Sequence, residues 1–212
     1  MSRERVAHTT IRLYGTELSG HSHRVELLLR MLGLEFEFIP APASVRGSAE
    51  FRRLNPLGQI PVLQDGEVTL ADSNAILVYL AKRYAPGSPW LPEEAVAAAA
   101  VQRWLSIAAG EVTYGPATAR MVSQWNYPGD IGRAKIIADK LLCFMDQHLR
   151  ERSFLTADHA TIADLACYSY VAHAPEGGIP LADYDSVRQW LRRVEALPNF
   201  KPIPPSPIPA AG

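Results

Sequence analysis

Hydrophobic and polar positions change period several times along the first eighty residues. Residues 11–14 form a short apolar run that reads as a strand, and a polar, glycine-containing loop covers residues 15–21. From Ser22 the period turns helical. Val25, Leu28, Leu29 and Leu32 share one face, Gly33 stands where a helix ends, and Ser22 reads as its cap. Phe36 and Phe38 alternate with Glu35 and Glu37, as in a second strand. A strand–helix–strand unit of this length implies a parallel pair joined by a right-handed crossover. Residues 40–48 read as irregular and residues 49–54 as a short helix. Residues 61–64 and 68–70 flank Asp65-Gly66, a hairpin signal, and a helix is predicted over 73–84 with Asp72 or Ser73 as its cap.

The pattern changes after residue 84. The stretch APGSPWLP, residues 85–92, holds three prolines and a glycine and reads as a linker between residues 1–84 and residues 93–212. Helical periods dominate beyond it. Residues 93–122 are Ala-rich and hold Trp104 and Leu105. Residues 129–149 repeat through Ile136, Ile137, Leu141 and Phe144. Residues 185–197 repeat through Val187, Trp190, Leu191 and Val194. Thr161 and Asp164 have the spacing of a capping box, a structural role. The tail PIPPSPIPAAG is too rich in proline for helix or strand and reads as a loose strap. The fold class is therefore an α/β N-terminal domain of order β-α-β-α-β-β-α followed by an all-α C-terminal domain.

Composition narrows the function classes. Across 212 residues, 21 basic against 22 acidic side chains give a net charge of −1, with no basic run, so nucleic acid is not an expected partner. The opening MSRERVAHTT has no apolar run behind its charges, so it reads as neither signal peptide nor membrane anchor, and a cytoplasmic address is expected. Cys143 and Cys167 are far apart, with no CxxC and no Cys/His cluster. This excludes a disulfide framework, a metal site and a redox dithiol, and both read as small buried apolar residues.

Four segments in order carry a resemblance: LYGTELSGHSHRVELLLRMLGLEFE, NPLGQIPVL, LADSNAILVYLAKRY and TIADLA. Together they resemble a cytosolic-type bacterial glutathione transferase of the serine-using kind, over about residues 11–200. The resemblance implies a thioredoxin-like domain over residues 1–84, glutathione as co-substrate and a homodimer. It also implies a catalytic Ser19 that donates a hydrogen bond to the glutathione sulfur. In this family the proline of the xIP segment is cis. Carried to Pro61, that would turn Ile60 toward the cysteinyl backbone of the tripeptide. Gln59 matches a position that contacts the peptide. Asp72 suits the γ-glutamyl ammonium, where the family usually has Glu or Gln, and Ser73 with the following helix N-terminus suits the carboxylate.

The chemistry centres on one thiol. Free glutathione has a thiol pKa of roughly 8.5, so at neutral pH little of it is the nucleophilic thiolate. Helix N-termini and hydrogen-bond donors lower such values. Three neighbours compete with Ser19: Tyr14 at the end of the first strand, His21, whose imidazole also falls in the glutathione site, and Ser22, most easily read as a helix cap. Leu18, Tyr114, Arg120 and Trp125 are candidates for the pocket of a small hydrophobic electrophile, although helical aromatics more often belong to a core. Peroxide or disulfide reduction and isomerisation use the same thiolate and stay open. So do a non-catalytic interaction module and a ligand-storage protein on the same fold.

Overall fold

The computed structural model describes residues 10–209. The reading of the N-terminal segment concerns mainly residues 1–9, which lie outside the described residues, as do the last three residues of the tail. Four strands, β1 (Ile11–Gly15), β2 (Phe36–Pro40), β3 (Val62–Asp65) and β4 (Val68–Ala71), form one sheet in the order β2-β1-β3-β4. β1 pairs parallel with β2 and antiparallel with β3, and β3 pairs antiparallel with β4. The parallel pair needs a crossover, which α1 (Gly20–Met31) supplies. The β3–β4 hairpin turns on Gly66-Glu67, one residue later than the predicted Asp65-Gly66, because Asp65 is still paired with Val68. Residues read as irregular contain a short helix, α2 (Ala43–Arg46), before α3 (Ala49–Leu54).

Alternation along β1 decides which layer covers each face. Ile11 and Leu13 point into the main core with α1 and α4 (Ser73–Tyr84), whereas Tyr14 packs with Ala41, Phe51 and Val62 on the opposite face. α1 starts two residues before Ser22. Ser19 is the cap, accepting a hydrogen bond from Ser22 N at 3.2 Å, and Ser22 is buried inside the helix.

The second part is helical, and its first long helix is not continuous. α5 (Ala95–Ala109) ends at Gly110, a π-helical turn spans Thr113–Ala117, and α6 (Thr118–Trp125) follows. Pro116, inside that turn, has no N–H for an α-helical bond, which is why the regular ladder fails there. α7 (Ile131–Leu149), α8 (Ile162–Ala172), a 3-10 turn (Ala174–Gly177) and α9 (Asp185–Glu195) complete the order. α8 is buried over nearly its whole length and packs against α1, α4 and α5. Its capping box is present, and Asp164 also accepts from Leu155 N at 2.9 Å and from Trp190 Nε1 at 2.9 Å. Cys167 is buried as expected, but Cys143 is exposed on α7.

The proline-rich tail is not loose where it is described. Ile203 is buried, His23 Nε2 donates to Lys201 O at 2.6 Å, and Lys201 Nζ meets Glu26 at 2.9 Å. Residues 201–207 thus lie as an extended strap running from α1 toward the 3-10 turn. Among the described residues, no helix is long and apolar enough to cross a membrane.

Candidate functional site

Strand register explains why distant segments meet. Tyr14 pairs with Val62, and Val62 pairs with Ala71, so these three positions form one row across the sheet. The chain just after Tyr14, just before Val62 and just after Ala71 therefore emerges at a single edge. Those pieces are the loop ending at Ser19, the Gln59-Ile60-Pro61 segment and the Asp72-Ser73 start of α4. The Ile60–Pro61 bond is cis, and Ile60 precedes the first paired residue of β3, so its N–H and C=O stand outside the ladder. Gln59 has an exposed side chain, while its carbonyl accepts from Asn55 Nδ2 at 2.9 Å. Asn55 is buried and also accepts from Leu57 N at 3.1 Å, so it shapes this loop.

Ser19 is partly exposed, and its oxygen serves as acceptor to Ser22 N. A hydroxyl used as acceptor keeps its proton for another partner. Behind it stands Tyr170 of α8. Its ring lies so flat on Gly20 that a Cβ there would meet Cζ at 2.8 Å and both Cε atoms at 2.9 Å. Burial pushes its phenol above the ordinary range.

Two of the rivals are otherwise engaged. Tyr14 donates to Gln64 Oε1 at 2.7 Å and stacks edge-on against Phe51 on the opposite face of the sheet. His21 packs edge-on against Tyr170, with ring centroids 5.0 Å apart, and its Nδ1 lies 3.4 Å from Ser73 Oγ. Burial, then the nearby Arg24, hold its imidazole down to about 3, so it is neutral at physiological pH.

Asp72 is exposed, caps α4 by accepting from Ala75 N at 2.9 Å, and adopts φ 72°, ψ 121°. A positive φ costs an aspartate of order 1 kcal/mol and marks places where the backbone is held for a purpose. Ser73, only 4% exposed, is oriented from below by Arg24 Nη1 at 3.3 Å, and the same nitrogen meets Asn74 Oδ1 at 3.0 Å. Arg24 is 1% exposed, and its Nε and Nη2 have no hydrogen-bond partner among the described residues. This buried cation, whose pKa burial pushes below the ordinary range, stands under the N-terminus of α4. The site edge is thus electropositive.

The electrophile candidates divide. Leu18 and Trp125 are both substantially exposed and flank one guanidinium: Arg120 donates to Leu18 O at 2.7 Å and lies 5.2 Å from the Trp125 ring centroid. Tyr114 is 63% exposed on the π-helical turn. Arg120 itself does not line an open surface. It is 1% exposed and ion-paired with Glu176, whose carboxylate offsets the cost of burying the guanidinium. Sequence reasoning missed Tyr170, Arg24, Asn55 and Glu176. The first two lie among apolar residues of helices that are buried nearly all round, where periodicity does not separate a polar site residue from core. Among the described residues, no three His, Cys, Asp or Glu side chains gather as a metal site would need.

Comparisons with known proteins show the family and the fold. Residues 13–89 match the family model for the glutathione S-transferase N-terminal domain, and residues 134–202 match that for the C-terminal domain. Glutathione S-transferase 3 of Zea mays is 31% identical over 95% of this chain and 99% of its own length. A glutathione S-transferase crystal structure from Xanthobacter autotrophicus superposes with a TM-score of 0.84 at 32% identity, covering 92% of this chain and 98% of that one. A glutathione transferase homologue from Drosophila mojavensis, solved with bound glutathione, gives a TM-score of 0.78 at 25% identity over 89% of each chain.

Proposed function

Since the chain belongs to the glutathione S-transferase family, we propose that Ser19 activates the thiol of bound glutathione for attack on a small hydrophobic electrophile. The observation that carries this reading is the state of the Ser19 hydroxyl. Its oxygen accepts from Ser22 N, a bond that does not use its proton, and it stands at the edge where residues 15–21, 59–61 and 72–73 converge.

Glutathione spans the edge in three parts. Ile60 pairs through its backbone with the cysteinyl residue, as an added strand would, and Gln59 reaches the peptide. The γ-glutamyl carboxylate lies at the N-terminus of α4, with Ser73 as donor and the buried Arg24 charge beneath it. Asp72 answers the ammonium. His21, neutral and in contact with Ser73, orders that hydroxyl and does not supply the catalytic proton. The thiol gives its proton to solvent. The thiolate then forms the carbon–sulfur bond, and the electron pair of the broken bond leaves with the displaced group. Ser19 stabilises the sulfur charge as a fixed dipole, with no reorganisation during the step. Leu18, Tyr114 and Trp125 offer the apolar surface beside it.

A homodimer is part of the proposal. Calorimetric titration with reduced glutathione tests the reading directly. Saturation at one molecule per chain is expected, and no heat at millimolar glutathione refutes it. Turnover of an activated aryl halide then separates catalysis from binding alone.

A further inference from the structure

A buried ion pair connects the loop carrying Ser19 to a segment far along the chain. Arg120 and Glu176 are 1% and 5% exposed, and Arg120 Nε donates to Glu176 Oε2 at 2.5 Å. The other donors of the same guanidinium are spent elsewhere. Nη1 meets Leu18 O at 2.7 Å, and Nη2 lies 3.4 Å from Ser206 Oγ on the strap. Ser206 N donates to the second carboxylate oxygen of Glu176 at 2.9 Å. Gln124 Nε2 joins Glu176 O to Pro207 O, at 2.7 Å each. His173 Nε2 stands 3.9 Å from Glu176, and burial holds its imidazole below the ordinary range, so Arg120 is the cation that answers the carboxylate.

A buried pair of this kind is seldom worth its desolvation in stability alone, because apolar residues of like volume do as well. What it does here is grip a peptide plane. The carbonyl of the Leu18–Ser19 peptide is held by Arg120, and its N–H, that of Ser19, by Thr16 O at 3.1 Å. A planar unit fixed at both ends cannot turn, and the next plane is held by His23 N on Ser19 O at 2.9 Å, so the direction of the Ser19 Cα–Cβ bond is fixed between them. Lysine cannot replace this arrangement, since one ammonium does not span a carboxylate, a carbonyl and a hydroxyl on separate elements.

We propose that Arg120 is a positioning residue for the Ser19 hydroxyl and that Ser206 on the strap completes it. The assignment rests on the reading of Ser19 as thiol donor. The chain end and the thiol are thereby coupled, although Ser206 itself touches no substrate.

Three variants test this: Ser206→Pro, Glu176→Gln and Arg120→Lys. Ser206→Pro is the mildest. It sits between Pro205 and Pro207, so the extended backbone is kept while the N–H and hydroxyl are both removed. Each folded variant is titrated with glutathione by calorimetry. The pH dependence of thiolate absorbance in its glutathione complex and its kcat and KM are then measured. For Ser206→Pro the expected result is unchanged glutathione affinity, an upward shift in the bound thiol's pKa and kcat lower by about fivefold, the size of one lost hydrogen bond. Arg120→Lys should lower kcat by about tenfold or more, because misplacement of a reacting group is costly. A purely structural role would lower the unfolding temperature and leave the bound thiol's pKa unmoved; that result in Ser206→Pro overturns the proposal alone. No glutathione binding by the wild-type protein overturns the Ser19 reading and the proposal with it.

Discussion

Replacing Gly20 by alanine sets two effects of opposite sign against each other at the start of α1. Alanine in place of glycine favours a helix by about 0.5–1 kcal/mol, at the low end here because Gly20 is the first helical residue. The added methyl would stand 2.8 Å from Tyr170 Cζ, whereas carbon atoms rest at about 3.5–4.0 Å, so the ring must retreat by nearly ~1 Å. It has little room to do so. Tyr170 is 4% exposed, with His21 against its edge and the Arg24 guanidinium 5.9 Å from its centroid. Overpacking of this kind costs about 1–3 kcal/mol, so the steric effect wins, and a net loss of about 1–2 kcal/mol is expected. For a chain of this size that lowers the unfolding temperature by about 2–8 °C. Urea unfolding of Gly20→Ala should show the loss. In a Tyr170→Ala background the clash is gone, and the same substitution should be neutral or slightly stabilising. A raised midpoint for Gly20→Ala in the wild-type background would refute the close contact.

Other outcomes follow from the same site. Ser19→Ala should reduce kcat by about a hundredfold, typical for one lost transition-state donor, with glutathione affinity little changed by calorimetry. Tyr14→Phe should leave kcat unchanged, since its hydroxyl is committed to Gln64; a large loss would transfer the donor role to Tyr14. Asp72→Ala should weaken glutathione binding by about tenfold, the worth of one charge-assisted hydrogen bond, and unaltered affinity would remove Asp72 from the site. His23 is 3% exposed, and burial holds it down to about 4 against an ordinary 6.5. Between those values the unfolded chain binds a proton that the native chain does not. Stability is therefore full above pH 6.5 and falls as the pH drops toward 4, by up to about 3 kcal/mol from this residue. Denaturation at pH 7 and pH 5 should show a smaller loss for His23→Gln, and an equal loss would refute the assignment.

What could be read from the sequence was what has a local cause. The β1–α1–β2 unit, the Asp72 cap and the Thr161–Asp164 box follow from period, turn chemistry and hydrogen-bond spacing within a few residues. The site candidates Ser19, Gln59, Ile60, Pro61, Asp72 and Ser73 came from the family resemblance, and the sheet register brings their segments to one edge. Nonlocal partners were out of reach. Arg24 and His23 sit on a helix enclosed by α4 on one side and α8 and the strap on another, so no face of it carries a polar signature. Arg120 was taken for a lining residue because its carboxylate partner lies 56 positions away. The proline tail was taken for a loose strap because proline predicts the lack of helix and strand but says nothing about what an extended segment touches.

The strap also bears on the order in which the molecule matures. Residues 201–207 leave the ribosome after the whole of the helix and loop they brace. Until they emerge, His23 lacks the Lys201 carbonyl, Glu26 lacks the Lys201 ammonium, and Glu176 has only one of its two partners. The nascent chain can form its sheet and α1 early, yet the serine loop is braced late. The proposed thiol-activating centre is thus assembled only on a chain whose later segments are already present, so incomplete products of synthesis carry the fold without the fully braced serine.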